Sequence, residues 1–133
     1  MATSPAFTAT ARIGRGSVTT GSSNIRSGAG TNYVDVITGA STGTRINEIV
    51  IKSTGQPADS VLGLLISDGV NTYSFDEIDL GAPAAGSNTV TAYRTTVFYT
   101  NLVLPSTSHK IQAAVSVTPT SGTIEVIALG GDF

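Results

Sequence analysis

Cysteine and tryptophan are missing from this 133-residue sequence, and charged residues are few. Without cysteine, the chain can form neither a disulfide scaffold nor a zinc knuckle, and it has no thiol nucleophile. Without tryptophan, the flat aromatic platform of many sugar-binding modules is hard to build. Asp, Glu, Lys and Arg make up 12% of the chain, well below their share in an average domain. The surface must therefore consist largely of small, uncharged side chains.

The few charges are balanced and scattered. The sequence has seven basic and nine acidic residues, which gives a formal net charge of −2, and it contains no run of like charge. Nucleic-acid binding needs clustered Lys and Arg, and so does binding to an anionic membrane surface. No stretch approaches the roughly 18 apolar residues of a membrane-spanning helix, and the start has no apolar signal segment. We therefore expect neither nucleic acid nor a membrane as a partner.

The abundant residues are those that favour β-strands. Thr, Val and Ile recur in short alternating runs, and Gly, Pro, Asn and Ser separate these runs. The predicted strands are residues 17–20 (weak), 31–38, 44–53, 59–67, 71–80, 88–104, 109–118 and 123–129. Evenly spaced short strands without a clear helix are typical of a sandwich or barrel. The predicted fold is all-β, an eight-stranded antiparallel sandwich that is jelly-roll-like, with an immunoglobulin-like sandwich as the alternative.

Three local features sharpen this prediction. Ile46 is out of phase with Ile49, which indicates a bulge between them. Residues 59–67 are nearly all apolar, as expected of a strand that is buried on both faces. Asp68-Gly69 then indicates a tight turn, so this strand and the next should form a hairpin.

The first thirty residues differ in composition from the rest. Their Gly and Ser clusters predict a flexible N-terminal arm over residues 1–30, ahead of one β-sandwich domain over residues 31–133. Arg12, Arg15 and Arg26 are three of the seven basic residues, and no acidic residue lies among them. The arm either binds an acidic surface or is a disordered terminus. Its deletion is expected to leave the fold intact and to weaken binding.

Most of the eight aromatic side chains should lie in the core. The exceptions are Phe7 in the arm and Phe133, the last residue, which should dock in its own fold or against a symmetry-related copy. The predicted partner-binding residues are Phe7, Arg12, Arg15, Arg26, Asp132 and Phe133.

No motif indicates catalysis. His109, the only histidine, lies in a Ser-rich loop where a Ser–His–acid arrangement is conceivable, but no Gly-x-Ser-x-Gly elbow accompanies it. Asp76, Glu77 and Asp79 form one acidic cluster, yet adjacent strand residues point to opposite faces and the spacing is not that of a calcium loop. We therefore predict that the chain is not an enzyme and holds no metal or cofactor.

An ordered set of short motifs resembles a known family. The motifs are Gly43-Thr44-Arg45-Ile46, Ile49-Val50-Ile51-Lys52-Ser53-Thr54-Gly55, Ile66-Ser67-Asp68-Gly69, Leu102-Val103-Leu104-Pro105 and Gly130-Gly131-Asp132-Phe133. Over residues 30 to 133, their layout resembles the small head decoration, or cement, proteins of tailed bacteriophages. Each motif alone is ordinary for a β-sandwich, so the resemblance lies in their order and in the closing motif.

The resemblance implies a function. It implies a jelly-roll-like virion protein, made in the host cytoplasm, that binds the outside of an icosahedral capsid in many copies and stabilises it. Its partners would be the major capsid protein and further copies of itself, as a dimer or trimer. Two alternatives remain: a tail, fibre or receptor-binding module of the same architecture, and a lectin-like carbohydrate-binding module.

Overall fold

The computed structural model describes residues 8–133, and within them every regular element is a β-strand. The strands are β1 (Thr10–Val18), β2 (Val34–Thr38), β3 (Thr44–Ser53), β4 (Ser60–Ser67), β5 (Thr72–Gly81), β6 (Arg94–Leu104), β7 (Lys110–Val115) and β8 (Ile124–Asp132). In this range, no helix has the length and apolar character that crossing a membrane requires.

The strands form two antiparallel sheets of four. Sheet I has the order β1-β8-β3-β6, and sheet II has the order β2-β7-β4-β5. The pairing is nested, because β1 pairs with β8, β2 with β7, β3 with β6 and β4 with β5. The chain is thus one long hairpin that has been rolled up, and this two-sheet arrangement of eight strands is a jelly roll. The predicted antiparallel sandwich is confirmed.

The core lies between the two sheets, where alternate residues of each strand meet. Sheet I contributes Ile49, Ile51 and Val126, and sheet II contributes Leu64 and Ile111; all five side chains are fully buried. Burial of each such side chain stabilises the fold by about 1.5–3 kcal/mol. Because side chains alternate along a strand, the other half of each strand points away from this core and forms the outer face of its sheet.

The three local predictions are confirmed. The register of β3 with both of its neighbours shifts between Ile46 and Glu48, which is the expected bulge. β4 is buried along most of its length, and it forms a hairpin with β5 around Asp68-Gly69.

β6 is shorter than predicted. It begins at Arg94 rather than at residue 88. The preceding stretch contains a turn in which the Ser87 N–H donates to the Val90 carbonyl oxygen at 2.8 Å. The alternation of residues that predicted β6 therefore extends into this turn, ahead of the strand itself.

The predicted flexible arm is wrong from Thr10 onward. β1 pairs with β8 along its whole length, so it extends well beyond the weak strand predicted at 17–20, and its Val18 is fully buried. β1 packs so closely on β2 that glycine is needed at position 14, because a Cβ there would lie 2.5 Å from the carbonyl oxygen of Val36 in β2. β1 and β2 therefore meet and close one side of the sandwich.

The connection from β1 to β2, residues 19–33, crosses the outer face of sheet II. Ile25 is 4% exposed and packs with Leu65 and Ala114 in a small second core. The fit is close, because a Cβ at Gly63 would lie 2.7 Å from the carbonyl oxygen of Ile25. The second half of the predicted arm is thus a cover for sheet II.

Candidate interaction face

The predicted site residues Arg12 and Asp132 bind each other. The Arg12 guanidinium donates to both carboxylate oxygens of Asp132, at 3.0 and 3.1 Å, and to the Thr38 carbonyl oxygen at 3.0 Å. The Thr44 hydroxyl donates to the same carboxylate at 2.7 Å. The Thr44 hydrogen bond, and after it the Arg12 guanidinium, lower the pKa of Asp132 against the opposing effect of partial burial. This cluster fastens β1 to the end of β8.

The other two arginines of the predicted arm also have partners inside the fold. Arg15 forms an ion pair with Glu125 of β8, and Arg26 forms one with Glu77 of β5. Exposed pairs of this kind contribute only about 0–1 kcal/mol. The structure therefore places all three cations against carboxylates of their own chain.

The two predicted phenylalanines have different outcomes. Phe133 is half-buried, its N–H donates to the Gly43 carbonyl oxygen at 3.0 Å, and its ring lies against Gly43. The ring thus docks on its own fold, the first of the two predicted alternatives. Phe7 lies outside the described residues.

The outer face of sheet I carries exposed apolar side chains. The register aligns Ile13, Leu129, Glu48 and Phe98 in one row across the four strands. Ile13 is 73% exposed, Phe98 is 76% exposed, and Val103 in a neighbouring row is 39% exposed. Ile13 and Phe98 lie at the two ends of this row, about 14 Å apart, with Leu129 and Glu48 between them. Exposed apolar residues on one face favour contact with a partner when they form a patch, whereas single ones are normal.

The two outer faces therefore differ. Residues 19–33 cover sheet II, but no described residue covers Ile13 or Phe98 on sheet I. We call the outer face of sheet I, with its apolar residues Ile13, Phe98 and Val103, the open face. The prediction that the aromatic side chains other than Phe7 and Phe133 lie mostly in the core is wrong for Phe98 and for Tyr73, which is 50% exposed.

The open face also contains unsatisfied polar groups. Among the described residues, three buried side-chain atoms have no hydrogen-bond partner: Arg45 Nε, Thr96 Oγ1 and Glu125 Oε2. All three residues belong to rows of the open face. An unsatisfied buried polar atom costs about 1–3 kcal/mol, so these three atoms lower the stability of sheet I.

Sequence reasoning did not select the open face. It did not identify which set of alternate residues in β6 points outward. Arg94 could have identified this set, because a charged side chain marks the solvent side of a strand and Phe98 shares its parity. Ile13 offered no such signal, since its segment was interpreted as an arm.

The histidine and the acidic cluster have polar partners in the described part of the chain. The Ser106 hydroxyl lies 3.0 Å from Nδ1 of His109, and both residues belong to one short turn. The Tyr99 hydroxyl donates to Asp76 at 2.7 Å, whereas Glu77 binds Arg26 on the opposite side, as the strand geometry predicted. In residues 8–133, no three His, Asp or Glu side chains converge as a metal site would require.

One shallow groove of about 710 Å³ lies where β6 begins. Its lining residues are Lys52, Pro83, Ala84, Thr91, Ala92, Tyr93 and Arg94. It contains neither the histidine nor the acidic cluster, so the groove and the candidate reactive residues do not coincide.

The comparisons with known proteins give partial structural likenesses. The chain is similar to a chain of the "Cyanophage Pam1 capsid asymmetric unit", with a TM-score of 0.48, 15% identity, and coverage of 98% of this chain and 90% of that chain. It is also similar to chains of two infectious bursal disease virus structures. The Gx strain gives a TM-score of 0.35, 13% identity, and coverage of 99% and 36%. The T13 particle gives a TM-score of 0.37 and 12% identity, with coverage of 99% of this chain and 35% of that chain.

No protein-family model matches the sequence, and neither does any curated protein. The case for a function therefore rests on the residues of this chain.

Proposed function

We propose that the chain is a structural protein of a bacteriophage virion, which binds the outer surface of the capsid through the open face and stabilises the shell. The observation that carries this proposal is the difference between the two outer faces. One is covered by the chain itself, whereas the other exposes Ile13 and Phe98. A fold by itself does not specify a function, so the choice of a capsid as partner comes from the ordered motifs that resemble decoration proteins.

The chemistry of the open face suits a protein partner. Burial of its exposed apolar side chains against another protein would stabilise the complex. Arg15 of this face is already paired with Glu125. The face also carries Arg45, Lys52 and Arg94, so attachment should combine apolar contact with charge.

The size of the face favours binding in many copies. Four strands spaced by about 4.8 Å, with a rise of about 3.4 Å per residue, give a face of roughly 600 Å². A standard stable interface buries about 800 Å² on each partner. One copy would therefore bind modestly, and copies that are linked to one another would bind far more tightly.

The first experiment is density-gradient sedimentation of phage-like particles from the source, with mass spectrometry of the particle band. A high, fixed ratio of this chain to the major shell protein would support the proposal. A low ratio would favour a tail or fibre component instead. If the chain were found only free of particles, the proposal would fail, and glycan binding would become the next test.

The second experiment tests the face itself. Particles that lack the chain are mixed with purified wild-type protein, with Ile13→Ser or with Val70→Ser. Both positions are highly exposed, at 73% and 90%, but Val70 lies in the β4–β5 turn, away from the open face. We expect Ile13→Ser to weaken co-sedimentation about tenfold, as for an interface residue whose apolar side chain is buried on binding, and Val70→Ser to bind like wild type. Equal binding by all three proteins would exclude the open face.

A further inference from the structure

The four sheet edges differ in how they are protected. β1 and β2 lie against each other, so these two edges close one side of the sandwich. On the other side, β5 carries Asp76, Glu77 and Asp79, and such charges discourage pairing with a second copy of the same strand. The remaining edge is β6, the longest strand.

The first half of β6 has one of the usual protective features, the charge of Arg94 at its start. Residues 94–98, Arg-Thr-Thr-Val-Phe, contain no proline, no lysine and no acidic residue. The register with β3 is regular here and is interrupted only beyond Phe98, where three residues of β6 lie opposite Asn47. The four residues after Arg94 therefore form a regular edge without proline or charge.

The backbone groups of this segment have a defined direction. The Ser53 N–H donates to the Tyr93 carbonyl oxygen at 3.0 Å, so that pair is a hydrogen-bonded pair of the β3–β6 ladder. Because hydrogen-bonded and non-hydrogen-bonded pairs alternate in antiparallel strands, Arg94, Thr96 and Phe98 direct their N–H and C=O groups toward the free edge. In the described part of the chain, no backbone hydrogen bond from outside the sheet reaches these three residues.

The side chains of the same three residues suit a two-fold partner. In an antiparallel pair centred on Thr96, each Arg94 lies opposite Phe98 of the other copy, on the same face of the joined sheet. Both side chains are exposed in the single chain, and a guanidinium over an aromatic ring is attractive. The two Thr96 residues lie opposite each other, and Thr–Thr pairs across strands are favourable.

We propose that two copies of this chain pair antiparallel through residues 94–98 of β6, about a two-fold axis at Thr96, to form a continuous eight-stranded sheet. The proposal goes beyond capsid binding and does not depend on it. The interface is isologous, as expected of a homodimer. It joins the open faces of both copies into one surface.

The sharpest test uses single cysteines, because the chain has none of its own. Residues opposite each other in a hydrogen-bonded antiparallel pair have Cα atoms about 5.5 Å apart, within the disulfide range of about 4.4–6.8 Å. We expect Thr96→Cys to form a disulfide-linked dimer on mild oxidation. The matched controls are Arg94→Cys and Phe98→Cys, whose like residues would be roughly 14 Å apart, and these should remain unlinked. Linkage of all three at equal rates, or of none, would overturn the proposal.

A second variant tests the unmodified dimer. Thr96→Pro removes an N–H that faces the free edge and not β3, a position where a strand tolerates proline. Analytical ultracentrifugation should give twice the chain mass of 13.5 kDa for wild type and for Thr96→Val, and the single mass for Thr96→Pro. A wild-type monomer at every concentration, or a trimer, would contradict this pairing whether or not the chain binds particles.

Discussion

At the residue scale, the closing motif Gly130-Gly131-Asp132-Phe133 has structural roles within the chain. A Cβ at Gly130 would lie 1.9 Å from the Arg45 carbonyl oxygen, so the close approach of β8 to β3 requires glycine there. Asp132 binds Arg12 and Thr44, and the Phe133 N–H donates to the Gly43 carbonyl oxygen. The motif that contributes most to the resemblance in sequence thus fixes the two ends of the described chain together.

The Asp132 cluster predicts a dependence of stability on acid. Its pKa is lowered in the folded state, so the carboxylate stabilises the fold above its unfolded pKa of about 3.9 and loses this contribution as the pH falls toward the folded value. We expect Asp132→Asn to lower the free energy of unfolding at pH 7 and to flatten its decline in acid. The measurement is urea denaturation at neutral and acidic pH.

The matched control for that experiment is Asp59→Asn. Asp59 is exposed, so its substitution should leave both curves near those of wild type. Asp68, whose pKa is lowered by backbone N–H groups of its turn, should retain part of the acid sensitivity in every variant. If Asp132→Asn matched wild type at both pH values, the ion pair would have no net effect on stability.

At the element scale, strands with internal alternation could be predicted from the sequence and β1 could not. β3 was predicted with its bounds and its bulge, because Ile49 and Ile51 share one face, Val50 and Lys52 share the other, and Ile46 breaks the phase. β1 is an edge strand with few buried side chains. Its glycine at position 14 is required by contact with β2, a long-range cause that a local pattern does not contain.

The same distinction explains the site. Arg12 and Asp132 were both selected from the sequence, but 120 positions separate them, so nothing local indicated that they bind each other. Ile13 and Phe98 come to lie in one row only through the pairing of four strands. The open face is a product of topology, and the fold class alone did not reveal it.

The packing of residues 19–33 on sheet II leads to a prediction about stability. Deletion of residues 1–30 should unfold the chain, because it removes β1 and Ile25, although the sequence alone predicted an intact fold. A milder test is Ile25→Ala, which should lower the free energy of unfolding by about 2 kcal/mol. Ile13→Ala, at an exposed isoleucine, should change it by no more than about 0.5 kcal/mol. Equal values for the two variants would show that residues 19–33 do not pack on sheet II.

At the scale of the whole molecule, the two proposals reinforce each other through area. Pairing at β6 leaves both open faces on the same side of one continuous sheet. The face of roughly 600 Å² in a single copy becomes roughly 1,200 Å² in the dimer, which exceeds the 800 Å² or so that one partner contributes to a standard interface. A dimer would also attach at two points, so the second contact forms at a high effective concentration.

The last prediction separates dimerisation from attachment. Thr96→Pro keeps Ile13 and Val103 in place, so it should still bind particles, but more weakly than wild type and with a faster release. Ile13→Ser should do the reverse, because it stays dimeric and loses particle binding. Sedimentation with particles across a dilution series, beside ultracentrifugation of the free proteins, measures both properties. If Thr96→Pro were monomeric and still bound as tightly as wild type, a single open face would be sufficient for attachment and pairing at β6 would serve another purpose.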